Sequence, residues 1–303
     1  MKVKCEKIFA ATKNMVLLAA VIIFLAGGSL LPGADTGIAL LVSDNTYKYF
    51  TNAYEPFKCN VGDWNLGTNE YNRYFMGWEK ILSDLGPGYT YSVIGDADIN
   101  PMDLQKFKVL ILSNNFWLDG SQTKTIAEWV RRGGRLLATY GSGYSGIQGD
   151  FLKGGTNGLH ELWGDPSAKV NSSFYLGNPW VKVQITNNEG PTNGLAVGEV
   201  LDYQYMANIL IHRPISSRDI KAFFLFNDKQ SLRPAIFNNR HSKGRVVYFA
   251  FAPEYLISLS SDAAGHCTND TRYEDANWLK AIIKIAEGLK PLMKSTLEYL
   301  VNP

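Results

Sequence analysis

The chain has 303 residues, 46% of them hydrophobic and 19% charged, so it can bury an interior of ordinary size and does not read as a disordered tail. A net charge of +2, without any basic run, argues against nucleic acid as a partner. The 13% aromatic share, with 16 Tyr and 7 Trp, suits the covering of sugar faces or an interface, or simply a Tyr-rich surface.

Lys2, Lys4, Lys7 and Lys13 precede an uninterrupted apolar stretch over 15–26, the basic and hydrophobic regions of an export signal. Ala26, Gly27, Gly28 and Ser29 follow, and cleavage after Gly28 satisfies the small-x-small rule; a cut after Ala34 is hindered by Pro32. Counted to Leu31, the stretch approaches the short end of a membrane-spanning helix, which leaves an uncleaved anchor open. In either case the lysines stay inside, and the expected location is extracytoplasmic, secreted or anchored by this segment. Residues 1–34 are therefore assigned to the signal or anchor, 35–290 to one domain, and 291–303 to a C-terminal tail. Cys5 falls in the signal region. Cys59 and Cys267 remain, either as a pair in an oxidising compartment or as two unpaired thiols.

In chain order, the apolar run over 37–43 predicts a strand buried on both faces, ending at Asp44. Residues 45–69 read as a long aromatic loop. Apolar positions recurring at three and four predict a helix over 70–85, stopped by Gly86-Pro87-Gly88. A strand over 89–94, a short helical turn over 101–107 and a buried strand over 109–113 follow. A helix over 122–132 is expected next, with Ser121 as its cap and Gly133-Gly134 as its end, then a strand over 136–139. This alternation predicts an α/β fold, a flavodoxin-like doubly wound and mostly parallel sheet. From about Gly146 to Asp202 the pattern becomes Gly- and Asn-rich, with an alternating segment over 180–185, and reads as an antiparallel insertion. Strands over 222–226, 235–237 and 245–251 and a closing helix over 278–289 complete the domain.

The strand Val109-Leu110-Ile111-Leu112-Ser113, the helix and glycine pair from Thr125 to Gly134, and the strand Leu136-Leu137-Ala138-Thr139 resemble the class I glutamine-amidotransferase-like superfamily. The branch they resemble is the one similar to the trimerisation domain of certain β-galactosidases. Leu159-His160-Glu161-Leu162-Trp163-Gly164 is similar to the short helix of that branch, and Pro234-Ala235-Ile236 and the run from Lys243 to Phe251 are similar to its last two strands. The resemblance implies a cysteine nucleophile on the turn after the fourth strand and a histidine before Pro-Glu after the last. In this chain the turn reads Tyr140-Gly141-Ser142-Gly143, and Ala252 precedes Pro253-Glu254. Both catalytic partners are missing, so no catalytic residue is assigned. A serine substitute lacks the G-x-S-x-G elbow, and His266 is the one remaining candidate base for Ser142.

In an open parallel sheet, ligands bind beyond the carboxyl ends of the strands. That edge gathers Asp44, Asn115, Trp117, Tyr140, Ser142, Glu254 and His266, which suits a neutral polyol or, equally, a polar surface without a ligand. Cys59 follows the first strand and Cys267 the last, so a disulfide between those loops is expected, with two free thiols as the alternative. Asp262, His266, Asp270 and Glu274 are metal donors spaced by four but read as a solvated loop, so neither a metal nor a cofactor is expected. His160 and His212 read as structural and His241 as surface. The resulting expectation is an exported, non-catalytic domain that binds carbohydrate or supports a polysaccharide-handling assembly. The alternatives are a hydrolase using Ser142 or a carboxylate, and a structural module that forms homo-oligomers.

Overall fold

Nine strands form one mixed sheet in the order β2-β1-β3-β4-β11-β10-β9-β6-β7 in the computed structural model, which describes residues 37–48, 66–143, 159–163, 173–174, 181–203, 210–211, 220–262 and 276–302. Strands β1 (Ile38–Leu41), β2 (Tyr91–Ile94), β3 (Val109–Ser113), β4 (Arg135–Thr139) and β11 (Gly244–Phe249) are mutually parallel. Every residue of β1 and β3 is buried, as their unbroken apolar runs require of strands covered on both faces. Two groups of helices flank them. One is α1 (Leu66–Asp84), α4 (Pro253–Asp262) and α5 (Ala276–Val301), packed against one another; the other is α2 (Pro101–Leu104) against α3 (Gly120–Arg131).

The antiparallel part corrects the expectation. β6 (Val181–Ile185) and β7 (Val200–Asp202) are not an insertion but the far margin of the same sheet, joined through β9 (Ile220–Phe226) and β10 (Lys229–His241) to β11. The sheet is therefore mixed, parallel at one end and antiparallel at the other, rather than mostly parallel. Its antiparallel strand β6 keeps the predicted alternation, with Val181, Val183 and Ile185 buried and Lys182 and Gln184 half-exposed. In β10 the pairing with β9 shifts around Pro234, whose nitrogen has no proton to give the ladder. A separate two-stranded pair joins β5 (Ser173–Phe174) to β8 (Leu210–Ile211).

Element ends moved where side chains decided them. Asp119, not Ser121, caps α3: its carboxylate accepts from Gln122 N at 2.7 Å while the Gln122 side chain accepts from Asp119 N at 2.8 Å. The closing helix does not stop at Leu289, and residues 290–301 are helix rather than tail. Pro291 interrupts the backbone bonding there, but Leu292, Met293, Leu297 and Leu300 are fully buried, and their burial outweighs the proline. Helices α1 and α4 touch through Gly77, where a Cβ would lie 2.0 Å from the carbonyl oxygen of Glu254. That approach sets the first turn of α4 against the sheet. The short helix expected after the fourth strand is present as a 3-10 turn, His160–Trp163, and Trp163 stacks on Tyr248 of β11 with ring centres 4.5 Å apart.

Residues 1–34, including the apolar stretch, and Cys59, Cys267 and His266 lie outside the described residues. Among the described residues no helix is long and apolar enough to cross a membrane.

Candidate functional site

Strands β3 and β4 lie side by side and end together, at Ser113 and Thr139. After each, the chain turns with a left-handed residue, Asn114 at φ 50° and Tyr140 at φ 46°. Asparagine tolerates this conformation. For tyrosine it is strained, at a cost of roughly 1–3 kcal/mol. Hydrogen bonds between the two turns offset that cost: Asn114 N donates to Thr139 Oγ1 at 3.2 Å, Gly141 N to Asn114 Oδ1 at 3.1 Å, and Gly143 N to the Asn115 carbonyl at 2.8 Å. The Tyr248 hydroxyl holds the Tyr140 carbonyl at 2.7 Å.

Ser142 is part of this lacing. Its hydroxyl lies 2.9 Å from the Leu112 carbonyl and 2.8 Å from the Thr139 carbonyl, and it accepts from Asn115 N at 3.2 Å. The side chain is 2% exposed. A hydroxyl whose one proton faces two main-chain carbonyls is oriented as a structural clip. His241 stands at the end of β10 and accepts from Arg131 Nε at 3.2 Å, at the opposite edge of the sheet.

Beneath the turns sits Glu254, in the first turn of α4 and fully buried. Its Oε1 accepts from the Thr139 hydroxyl and, at 3.3 Å, from the Ser113 hydroxyl. Burial pushes its carboxyl up to about 8, against the pull of the Thr139, backbone and Ser113 hydrogen bonds. It is thus mostly protonated at neutral pH. Among the described residues Glu254 Oε2, Asn114 Nδ2 and Asn115 Oδ1 are buried without a hydrogen-bond partner. Where a base would precede Pro-Glu, the main chain of Ala252 is tied on both sides by Tyr203, which accepts from Ala252 N at 3.0 Å and donates to the Ala252 carbonyl at 3.3 Å. Burial, with the Glu254 charge adding to it, raises the Tyr203 phenol as well.

The structure thus brings Asn115, Tyr140, Ser142 and Glu254 into one buried polar cluster. Trp117 is half-buried at its side, its backbone N–H bonded to Thr46 Oγ1 at 3.3 Å, and Asp44 is exposed in the helical segment 44–48 that follows β1. Asn115 reaches back to that strand, donating from Nδ2 to the Leu41 carbonyl at 3.2 Å. Ser113, Thr139 and Tyr203 are not singled out from sequence. A signal existed for Ser113 and Thr139, each a polar residue closing an otherwise apolar strand. Tyr203 had none. Among the described residues no group of three or more metal-ligating side chains is assembled.

No protein-family model and no curated protein sequence matches this chain. Solved structures do. A cold-adapted β-galactosidase from Rahnella sp. R3 superposes with a TM-score of 0.52 at 17% identity, over 84% of this chain and 35% of that one. A ThuA-like protein from Bacteroides uniformis superposes with a TM-score of 0.51 at 11% identity, over 90% of this chain and 94% of that one. A β-galactosidase from Bacillus circulans sp. alkalophilus gives 0.50 at 15% identity, over 73% and 29%. This chain spans between 27% and 35% of the length of the β-galactosidases it matches. At these identities the likeness is one of fold.

Proposed function

We propose that the chain is an exported, non-catalytic domain of the amidotransferase-like, flavodoxin-like kind that binds carbohydrate at the carboxyl edge of its parallel strands. The observation that carries the non-catalytic reading is Ser142: its proton faces main-chain carbonyls, and its surroundings are buried. The carbohydrate reading draws support from the exposed carboxylate of Asp44 and the indole of Trp117 at the rim of that cluster, and from a fold shared with β-galactosidases. A glycan array tests it, with wild type, Asp44→Asn and Trp117→Ala side by side. Binding by the wild type that both variants weaken is the expected result, and an empty array for the wild type refutes the reading.

A second reading has one observation in its favour. Glu254 is a buried carboxyl with a strongly raised pKa, the profile of a general acid. Turnover of an ester, amide or glycoside that Glu254→Gln abolishes would favour a hydrolase. A stable oligomer without glycan binding would favour the structural module instead.

A further inference from the structure

Strand β1 lies between β2 and β3, so the chain leaves it for a neighbour on one side and returns on the other, the kind of point at which open α/β sheets take ligands. The segments that follow these three strands carry Asp44, Asp96 and Trp117. One carboxylate ties the first two of these segments to α3. Asp96 Oδ2 accepts from Asn45 N, beside Asp44, at 2.9 Å, and Asp96 Oδ1 accepts from Gln122 Nε2 in the first turn of α3 at 3.0 Å. Gln122 Nε2 also meets the Asp96 carbonyl at 3.2 Å, while Gln122 Oε1 accepts from Asp119 N at 2.8 Å. The contact between Asp96 and Gln122 therefore bridges over the end of β1.

The turn that contains Asp96 does not need its side chain. Gly95 N there donates to Asp98 Oδ2 at 2.8 Å, whereas the Asp96 carboxylate serves partners 51 and 26 positions away. A second tie comes from the β3 side, where the buried Thr46 hydroxyl accepts from Trp117 N at 3.3 Å and donates to the Trp117 carbonyl at 3.2 Å. The helical segment 44–48 is thus held through Asn45 on one flank and Thr46 on the other. Isolated helices shorter than about 12–15 residues are marginal in water, so this one keeps its place through such ties. The bonds to the carboxylate are the stronger kind, since hydrogen bonds to an ionised acceptor are roughly twice as strong as neutral ones.

We propose that Asp96 is a positioning residue of the carbohydrate site at the carboxyl edge, holding segment 44–48 so that Asp44 and Trp117 are presented together in a preformed rim. The inference rests on the carbohydrate reading above. A rim ordered in advance spares the ligand the cost of ordering it.

The full chain is tested on the glycan array and by hydrogen exchange of segment 44–48. Asp96→Asn keeps the size of the side chain but sets an NH2 group against the Asn45 N–H or against Gln122 Nε2. The array signal should fall about tenfold, with faster exchange in the segment. Gln122→Glu alone sets two carboxylates against each other and should also weaken binding. Asp96→Asn combined with Gln122→Glu restores the match: the new amide accepts from Asn45 N and donates to the carboxylate at position 122, whose other oxygen still accepts from Asp119 N. The double variant should bind better than either single variant, a reversal that general destabilisation does not produce. A signal unchanged by Asp96→Asn overturns the inference, as does faster exchange without weaker binding, or a double variant no better than the single ones. Each of those results leaves the carbohydrate reading standing where Trp117→Ala still weakens the wild-type signal; a blank wild-type array overturns both.

Discussion

Thr139, the last residue of β4, donates its hydroxyl to Glu254 in the first turn of α4, 115 positions further along the chain. The bond joins the end of the sheet to the start of a helix through a carboxyl that burial keeps protonated. The fold holds that proton more tightly than the unfolded chain does.

A definite pH dependence follows. With the carboxyl raised from 4.5 to about 8, its contribution to stability is complete below about 4.5, declines as pH rises and is lost above about 8. Glu254→Gln keeps the shape and the acceptor oxygen but has no proton to lose. Its melting temperature should fall less than that of wild type between about pH 5 and about pH 9, the difference amounting to a few kcal/mol at the alkaline end. Thermal melts across that range decide it, and parallel curves for the two proteins would show that Glu254 titrates normally.

Ser142→Ala removes the acceptor of the buried Asn115 N–H and a donor to two carbonyls. Urea unfolding should show a loss of about 1–3 kcal/mol. Glycan binding by the folded variant should remain. A neutral stability effect combined with lost turnover would mark Ser142 as a nucleophile instead.

Gly77→Ala sets two effects against each other. Alanine favours a helix interior over glycine by about 1 kcal/mol. The added methyl would meet the Glu254 carbonyl at 2.0 Å, so α1 and α4 must separate, and overpacking of this kind costs about 1–3 kcal/mol. Net destabilisation is expected in urea unfolding, together with a lower apparent pKa for Glu254 as water reaches it. A stabilised variant would contradict the close packing of the two helices.

Much of the sheet was legible because a strand buried on both faces must be apolar throughout: β1, β3 and β4 stand where their runs placed them. The antiparallel margin was harder to read. Alternation in β6 showed a half-covered strand but carried no information about which neighbour it would join, and a sheet partner is a long-range choice. At the candidate site, the rule that loops meet at the carboxyl edge groups Asn115, Tyr140, Ser142 and Glu254 from sequence. That rule did not reveal that they would be buried, since burial depends on the approach of α4, set by Gly77 and visible only in three dimensions. The cap of α3 was misplaced by two residues because Ser121 and Asp119 are both good caps, and the reciprocal bond with Gln122 selects Asp119.

Truncation after Leu289 tests the last helix. It removes Leu292, Met293, Leu297 and Leu300, each fully buried and each worth about 1.5–3 kcal/mol in burial, and it takes away the carbonyls that Arg135 binds. The shortened chain should fail to unfold cooperatively by calorimetry. A protein that keeps a sharp transition would mean that residues 290–301 are dispensable.

β11 is fifth of nine in the sheet, between β4 and β10, yet among the described residues it is the last strand in chain order. During synthesis both flanks of the sheet are therefore made before the strand that joins them. Until residues 244–249 arrive, β4 and β10 each wait with an unpaired edge, the kind of surface on which nascent chains stick to one another. Pairing across 110 residues is also slow to form. Sheet closure is thus a late event at the centre of the molecule, and protection of two open edges during biogenesis is a requirement imposed by strand order alone.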